Sequence, residues 1–370
     1  MPSNVEWLEE LELFGMSLGL ERMEALLERL GHPERGYPAI HVVGTNGKTS
    51  TVRAAEALLH GEGLHVGAYV SPHVTGWGER IRVDRREVDV DAALARVRPA
   101  AEEVGATQFE VITAAALAEF AVARVDVAVV EAGLGGRLDA TNVLGAKVVV
   151  LTNVALDHTE HLGETREAIA AEKLAVVPEG GTVVLGELDW VEAAHAAGAV
   201  RVSGGSVEPA DLASTAVASF LGRRDFDRRP LRGMVVPGRL ERIAEEQPLE
   251  IWDGAHNPAG AAWLVDHLPE RGWTLVVSIL ADKDADAILA ALSPLGDRLV
   301  ATSSGHARAL PAEELARRAT AFFAEVETVE DPAGARARGR ALAGPDGAVL
   351  VTGSLTLVAS LAAVRPASVR

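Results

Sequence analysis

Gly44-Thr45-Asn46-Gly47-Lys48-Thr49-Ser50-Thr51 joins two features that together suit phosphate. A β-branched run, Ile40-His41-Val42-Val43, leads into it, and a helical pattern over 52–59 follows. Strand, Gly-containing loop, Lys-Thr and helix place backbone N–H groups around phosphate oxygens. They also set an amine beside that charge and a hydroxyl, from Thr49 or Ser50, within reach of Mg²⁺. The strict Walker spacing requires Gly at position 42, where this chain has Val42. The strand-to-helix setting therefore carries the reading; a hairpin or a helix cap is the alternative.

Further polar groups recur at strand ends. Val129-Val130-Glu131 runs into the Gly-rich turn Ala132-Gly133-Leu134-Gly135-Gly136-Arg137-Leu138-Asp139-Ala140-Thr141-Asn142. A carboxylate at the C-terminal end of a strand lies where open α/β sheets bind ligands. Glu131, a hard oxygen donor, is a natural Mg²⁺ ligand there; capping of the next turn is the alternative. Arg137 and Asp139 are expected to point towards substrate or interdomain contacts. His158 ends the next strand, with Asp157, Glu160 and His161 beside it, as a metal or phosphate contact or a structural histidine. Lys173 falls in a helical stretch over 165–177 whose neighbours Ile169, Ala170, Val176 and Val177 are apolar. A lysine on such a stripe finds a partner, loses its proton, or snorkels to the surface. In the second half, Trp252-Asp253-Gly254-Ala255-His256-Asn257-Pro258 again ends a strand in polar groups before a helix opening at proline. Asp253 suits ribose hydroxyls, and His256 and Asn257 suit phosphate or base. Arg239, in Val236-Pro237-Gly238-Arg239, is a cation that domain closure would bring over phosphates. Lys283 fits an interdomain contact or an exposed salt bridge equally.

Composition narrows the partners. The chain has 370 residues, 48% hydrophobic and 24% charged, with a net charge of −18 and no cysteine. Disulfide and thiolate chemistry are excluded, and nucleic acid and acidic membranes are disfavoured as partners. No apolar run is long enough to span a bilayer, and the N-terminus lacks the pattern of a signal peptide, so a cytoplasmic location is expected. Lysine occurs only at 48, 147, 173 and 283, and asparagine only at 4, 46, 142, 153 and 257. In a chain that otherwise uses arginine, these residues mark places where a compact ammonium or a neutral amide is needed.

A helix is expected around Leu20, Met23, Leu26, Leu27 and Leu30, ended by Gly31. Strands are expected over 66–70, 127–131 and 148–152, with helices over 92–104 and 112–122. Such alternation implies a mostly parallel sheet covered on both faces. The rhythm lapses over 203–238, and a boundary is placed after Arg242. Alternation resumes with strands over 249–252, 275–279, 299–302, near 326 and over 349–352, and with helices from 258, over 284–292 and 311–322, and from 354. The fold class is therefore α/β: a P-loop domain over 1–242 with a mostly parallel sheet, and a smaller doubly wound domain over 243–370.

Taken in order, these segments resemble the folylpolyglutamate synthase/dihydrofolate synthase family, within the muramyl-peptide type of amide ligases. The resemblance rests on Leu30-Gly31-His32-Pro33 leading into the phosphate loop, Ser71-Pro72-His73 with Glu79-Arg80-Ile81, and Glu131 to Asn142. It continues through Ala155-Leu156-Asp157-His158, Glu172-Lys173, Pro237-Gly238-Arg239 and Asp253 to Pro258. The chain departs from the family pattern at Thr49, usually Gly, and in the helix implied near Leu212-Ala213-Ser214-Thr215, where the asparagine that family members direct towards adenine is missing.

The resemblance implies ATP-dependent amide formation in folate biosynthesis and one-carbon metabolism. A folate or dihydropteroate carboxylate attacks the γ-phosphate, and the amine of L-glutamate displaces phosphate from the acyl phosphate. It implies ATP at Gly44, Thr45, Asn46, Gly47, Lys48, Thr49, Ser50, Arg239, Asp253, His256 and Asn257. Two Mg²⁺ ions would be held by Thr49 or Ser50, Ser71 and Glu131, and by His158 with a carbamylated Lys173. Lys48, His158 and Lys173 would be catalytic, and Arg80, Phe109, Asp139 and Ala140 would line the acceptor site. A monomer is expected. The runner-up readings are a muramyl-peptide ligase and a P-loop ATPase without ligase activity.

Overall fold

The computed structural model describes residues 3–11, 19–244 and 247–364. The chain divides into two compact units, Met1–Met234 and Val235–Arg370, each α/β. The first carries β1 (Ala39–Val43), β2 (Val66–Tyr69), β3 (Ile81–Val83), β4 (Arg86–Glu87), β5 (Val127–Glu131), β6 (Val148–Leu151), β7 (Thr182–Leu185) and β8 (Arg201–Gly204). Their order is β4-β3-β2-β5-β1-β6-β7-β8. All neighbours are parallel except β2 with β3 and β3 with β4. Every residue of β1 and β5 is buried, as expected of central parallel strands covered on both faces.

The register fixes the site. Val42 of β1 lies level with Glu131 of β5, and Val43 with Leu151 of β6. The loops leaving these three adjacent strands therefore emerge side by side at the C-terminal edge, where open α/β sheets bind ligands. The helix Lys48–Gly61 starts directly after Gly47, which has φ 80°. It buries Val52, Ala55, Leu58 and Leu59 in one cluster with Ile40, Val129 and Val150 of the sheet and Leu212, Ala213 and Ala216 of the helix Pro209–Leu221.

The second unit holds β9 (Glu241–Ala244), β10 (Leu249–Trp252), β11 (Trp273–Val277), β12 (Arg298–Ala301), β13 (Glu325–Thr328) and β14 (Ala348–Thr352), in the order β13-β12-β11-β14-β10-β9. Among the described residues, β9 alone runs antiparallel, against β10.

Three expectations need correction. The helix after the phosphate loop begins at Lys48, four residues before the apolar pattern, because its first turn is polar and faces the loop. The stretch 203–238 is not uniformly irregular: the helix that the resemblance implied near Leu212 runs over Pro209–Leu221, opened by proline at its first turn. The strands β7 and β8 and the helix Val191–Ala196 fill a segment for which no elements were expected.

Candidate functional site

The phosphate loop is shaped mainly by the strand beside it. Thr45 N–H donates to Asn153 O at 3.0 Å, and Asn46 N–H to Asn153 Oδ1 at 2.9 Å. Thr152 Oγ1 donates to Asn46 O at 2.6 Å, and Ala155 N–H to Thr45 Oγ1 at 3.1 Å. Gly44 has φ 146°, and a Cβ there would sit 1.8 Å from Thr152 Oγ1, so this position excludes every side chain. Asn153 is one of the few asparagines of the chain. Its amide replaces a strand partner for the loop, a role no local pattern announces.

Lys48 Nζ donates to Thr45 O at 3.1 Å, folding the side chain back over its own loop. Thr49 Oγ1 donates to Glu131 Oε1 and Oε2 at 3.1 and 2.9 Å. Ser71 N–H reaches Glu131 Oε2 at 3.2 Å, and Glu131 is 2% exposed. A carboxylate at the end of β5 and a hydroxyl from the first turn of the helix Lys48–Gly61 thus meet, a set of hard oxygen donors suited to Mg²⁺. Ser50 occupies the first turn of the same helix.

Lys173 lies in the helix Arg166–Leu174 and is 4% exposed, so it does not snorkel. Its Nζ donates to Gly44 O at 2.9 Å, tying this helix to the first residue of the phosphate loop. Burial pulls its pKa down to about 7, and the charge of Lys48 pushes the same way against Asp157, Asp139 and Glu172. Gly136 makes the approach possible: a Cβ there would meet Lys173 O at 2.6 Å. His158, with φ 51°, opens the turn Thr159–Leu162. Its ring lies 3.9 Å from carboxylate oxygens of Asp157 and Glu160. Among the described residues no three His, Asp or Glu side chains converge as an all-protein metal cage.

The acceptor-side residues form a second group. Phe109, in the first turn of the helix Gln108–Ala123, has its ring 6.4 Å from that of Tyr69. A Cβ on Gly133 would sit 2.5 Å from it. Tyr69 O–H pairs with Thr113 Oγ1 at 3.0 Å. Arg80 Nε donates to His73 Nδ1 at 2.9 Å, and its guanidinium stacks 4.5 Å over Trp77. Asp139 is buried and turned inward: it accepts from Leu134 N–H at 2.7 Å and from Thr141 N–H and Oγ1 at 3.0 and 2.5 Å. Burial raises its pKa against those bonds. Thr141 Oγ1 is also 2.8 Å from His41 Nε2, inside the sheet. Ala140, next in the chain, is buried. Arg137 is exposed and paired with Glu172 at 3.1 Å.

A pocket of about 280 Å³ opens where β8 meets the helix Pro209–Leu221, lined by Gly204, Gly205, Ser206, Asp211, Leu212 and Thr215 among others. Arg228 closes one side by pairing with Asp211 at 2.8 Å. A Cβ on Gly47 would lie 3.8 Å from Pro209, so this helix begins beside the phosphate loop.

In the second unit, Asp253 is buried and accepts from Leu240 and Ala255 N–H, each at 2.8 Å. Its pKa is raised by burial and held back by the charge of Arg239. Asn257 caps the helix Pro258–His267 through Gly260 N–H at 2.8 Å, and His256 Nδ1 lies 2.8 Å from Gly254 O. Gly254 leaves room for Arg239, whose Nη1 would be 2.8 Å from a Cβ there. Lys283 Nζ is 3.7 Å from Asp282.

Comparison with known proteins meets this geometry. Residues 42–203 match the Mur ligase middle domain, and residues 238–355 match the Mur ligase, glutamate ligase domain. The dihydrofolate synthase/folylpolyglutamate synthase of Mycobacterium tuberculosis is 35% identical, over 84% of this chain and 80% of its own length. The chain belongs to that family of Mur-type ligases. Solved folylpolyglutamate synthases show the same fold. The E. coli enzyme in complex with DHPP and ADP superposes with a TM-score of 0.87 at 31% identity, covering 97% of each chain. The bifunctional Yersinia pestis enzyme with AMPPNP and a Mn ion gives 0.87 at 30% identity, covering 98% of this chain and 97% of its own. Among the described residues no helix of this family member is long and apolar enough to cross a membrane.

Proposed function

We propose that this protein is an ATP-dependent amide ligase that joins L-glutamate to a folate or to dihydropteroate through an acyl phosphate. The observation that carries the reading is one cluster at the ends of β1, β5 and β6. There, Lys48, the Thr49–Glu131 pair and the buried Lys173 surround one phosphate loop.

In this reading the loop N–H groups and Lys48 hold the ATP phosphates. Lys48 stabilises charge as the γ-phosphate passes to the acceptor carboxylate. The pocket beside the helix Pro209–Leu221 is assigned to the base. Its Ser214 and Thr215 hydroxyls donate to carbonyls one turn back, at 2.7 and 2.9 Å, so they meet a base as acceptors. Thr49 or Ser50, Ser71 and Glu131 fit a nucleotide-bound Mg²⁺. When bound, Mg²⁺ neutralises phosphate charge and orients the γ-phosphate. Arg239, Asp253, His256 and Asn257 are assigned to the nucleotide, and the region matching the glutamate ligase domain to the incoming amino acid. Asp253 acts there by shaping its turn, since backbone amides already engage both of its oxygens.

Lys173 is assigned as a carbamate. Burial favours its neutral amine, a neutral amine adds to CO₂ with loss of one proton, and the product carries a single negative charge shared by two oxygens. His158 with that carbamate would hold a second Mg²⁺ near the acceptor. Phe109 is assigned to the flat face of the pterin, with Asp139 and Ala140 fixing the turn beside it.

The test is ADP release by the purified protein. It should require both a pteroate or folate acid and L-glutamate. Release with neither supports a plain ATPase, and release with a muramyl acceptor alone supports the runner-up ligase; either result overturns the reading.

A further inference from the structure

Past β6 the segment 152–155 becomes the wall on which the phosphate loop rests. Thr152 Oγ1, Asn153 O and Oδ1, and Ala155 N–H all engage Thr45 or Asn46. Val154, in the middle of that wall, turns its own main-chain groups to a single ion pair. Its N–H donates to Glu187 Oε2 at 2.9 Å, and its O accepts from Arg166 Nε at 2.8 Å. Arg166 Nη2 closes the ring on Glu187 Oε1 at 2.8 Å. Peptide planarity gives this arrangement its consequence. In a trans peptide the C=O and the N–H point in opposite directions. Fixing Val154 N–H therefore aims Asn153 O, which accepts from Thr45 N–H. Fixing Val154 O aims Ala155 N–H, which donates to Thr45 Oγ1.

The pair is itself held in place. Trp190 is buried, and its Nε1 donates to Glu187 Oε2 at 2.8 Å. The Arg166 guanidinium lies 5.1 Å from the centre of the Trp190 ring. Gly186 N–H donates to Leu151 O at 2.8 Å, and a Cβ on Gly186 would sit 1.7 Å from Thr152 O. Only glycine lets the chain leaving β7 run so close to the chain leaving β6, and the next residue is Glu187. Main-chain groups that leave a sheet must find new partners. Here a carboxylate and a guanidinium stand in for a strand neighbour, with bonds stronger than those between neutral groups. Arg166 also opens the helix that carries Lys173, whose Nζ holds Gly44 O. Both supports of residues 44–46 thus pass through it. Both side chains are partly exposed, and an ion pair so placed adds little to stability by itself; its weight lies in what it orients.

We propose that Arg166 and Glu187 are positioning residues for the nucleotide phosphates. As one unit they orient the two peptides flanking Val154, and those peptides hold Thr45 in its phosphate-binding conformation. The proposal rests on the assignment of the phosphate loop to ATP above, and extends it to two residues outside that loop.

ADP with Mg²⁺ is titrated by calorimetry into wild type, Arg166→Gln, Glu187→Gln, the double variant and Arg166→Lys, with a thermal melt of each. The affinity is that of the folded molecules, whatever their fraction. Each Gln variant should weaken ADP about tenfold. The double variant should stay well short of the roughly hundredfold product, because the two residues act as one unit. Arg166→Lys should recover only part of the loss, keeping the charge without the fork. In steady-state assays the KM for ATP should rise with the ADP affinity loss, while the KM for the acceptor acid stays within about twofold of wild type. ADP affinity within about twofold of wild type in both Gln variants would reduce the pair to a surface contact and overturn the proposal. Equal rises in both KM values with a lowered melting temperature would make the pair merely structural and overturn it as well. The full product in the double variant would overturn the claim that the two act together. Absence of ADP binding by wild type removes the nucleotide reading itself, whereas binding with any of these adverse results removes only the role of the pair.

Discussion

Each unit buries a charged side chain, and the two are satisfied in opposite ways. Glu250, on β10, is fully buried and accepts from Trp252 Nε1 at 2.7 Å, Arg336 at 2.6 and 3.0 Å and Arg340 at 2.5 Å. Burial alone would raise its pKa, yet Arg336, Trp252 and Arg340 bring it below the ordinary value. Lys173 has one carbonyl at 2.9 Å and a second cation, Lys48, acting on it. A buried charge with full counter-charge is a structural device. One without it is held away from its ordinary protonation state, and such groups cluster where chemistry is done.

The largest effect expected is on turnover. Lys48→Ala should lower kcat by a factor on the order of a hundred to a thousand while circular dichroism and thermal melting stay near wild type. Near-normal turnover would remove the phosphate site from the account. Glu250→Ala should do the reverse. It leaves Arg336 and Arg340 around an empty position and should cost about 3–5 kcal/mol in a denaturant titration, with kcat of the folded protein unchanged. A fall in kcat without loss of stability would break the contrast between the two units.

His41 supplies an intermediate case, a buried group kept neutral. Burial lowers its pKa from 6.5 to about 4, so the unfolded chain binds the proton more readily. Its contribution to stability is present above pH 6.5 and is lost as pH falls towards 4. Replacement by Gln should flatten the stability–pH curve in that window by on the order of 3 kcal/mol. An unchanged curve would place the acid sensitivity elsewhere. The smallest effect is expected from Phe109→Ala, which should raise the KM for the acceptor about tenfold and leave the KM for ATP alone. Equal changes in both would make Phe109 a packing residue.

Much of this organisation was legible in the residues. The central strand β5 falls where its apolar run does, because parallel strands buried on both faces are nearly continuous in Val and Ile. The phosphate loop, Glu131 and Lys173 stand out by residue type and position. What escaped has a physical reason in each case. β8, Arg201–Gly204, is an edge strand with no fully buried residue, so it has no apolar pattern to read. The helix Pro209–Leu221 was implied near Leu212 by the resemblance alone, since the Gly, Arg and Pro residues around it obscure its pattern. Asn153, and the grouping of His73 and Trp77 around Arg80, depend on loops brought together by the sheet register and by the turn over 71–80. Asp139 was expected to face substrate, but a hydroxyl two residues on and the backbone N–H of Leu134 take its oxygens.

The central claim is that the buried amine of Lys173 is chemically reactive where the paired charge of Glu250 is inert. It is tested most directly by ¹³C NMR of the protein equilibrated with ¹³C-bicarbonate. The account predicts a protein-bound carbamate resonance that is absent from Lys173→Ala. Turnover should fall when CO₂ is stripped and as pH drops below about 7, where the amine gains its proton. No such resonance in wild type, together with a Lys173→Ala variant that turns over normally, would contradict it.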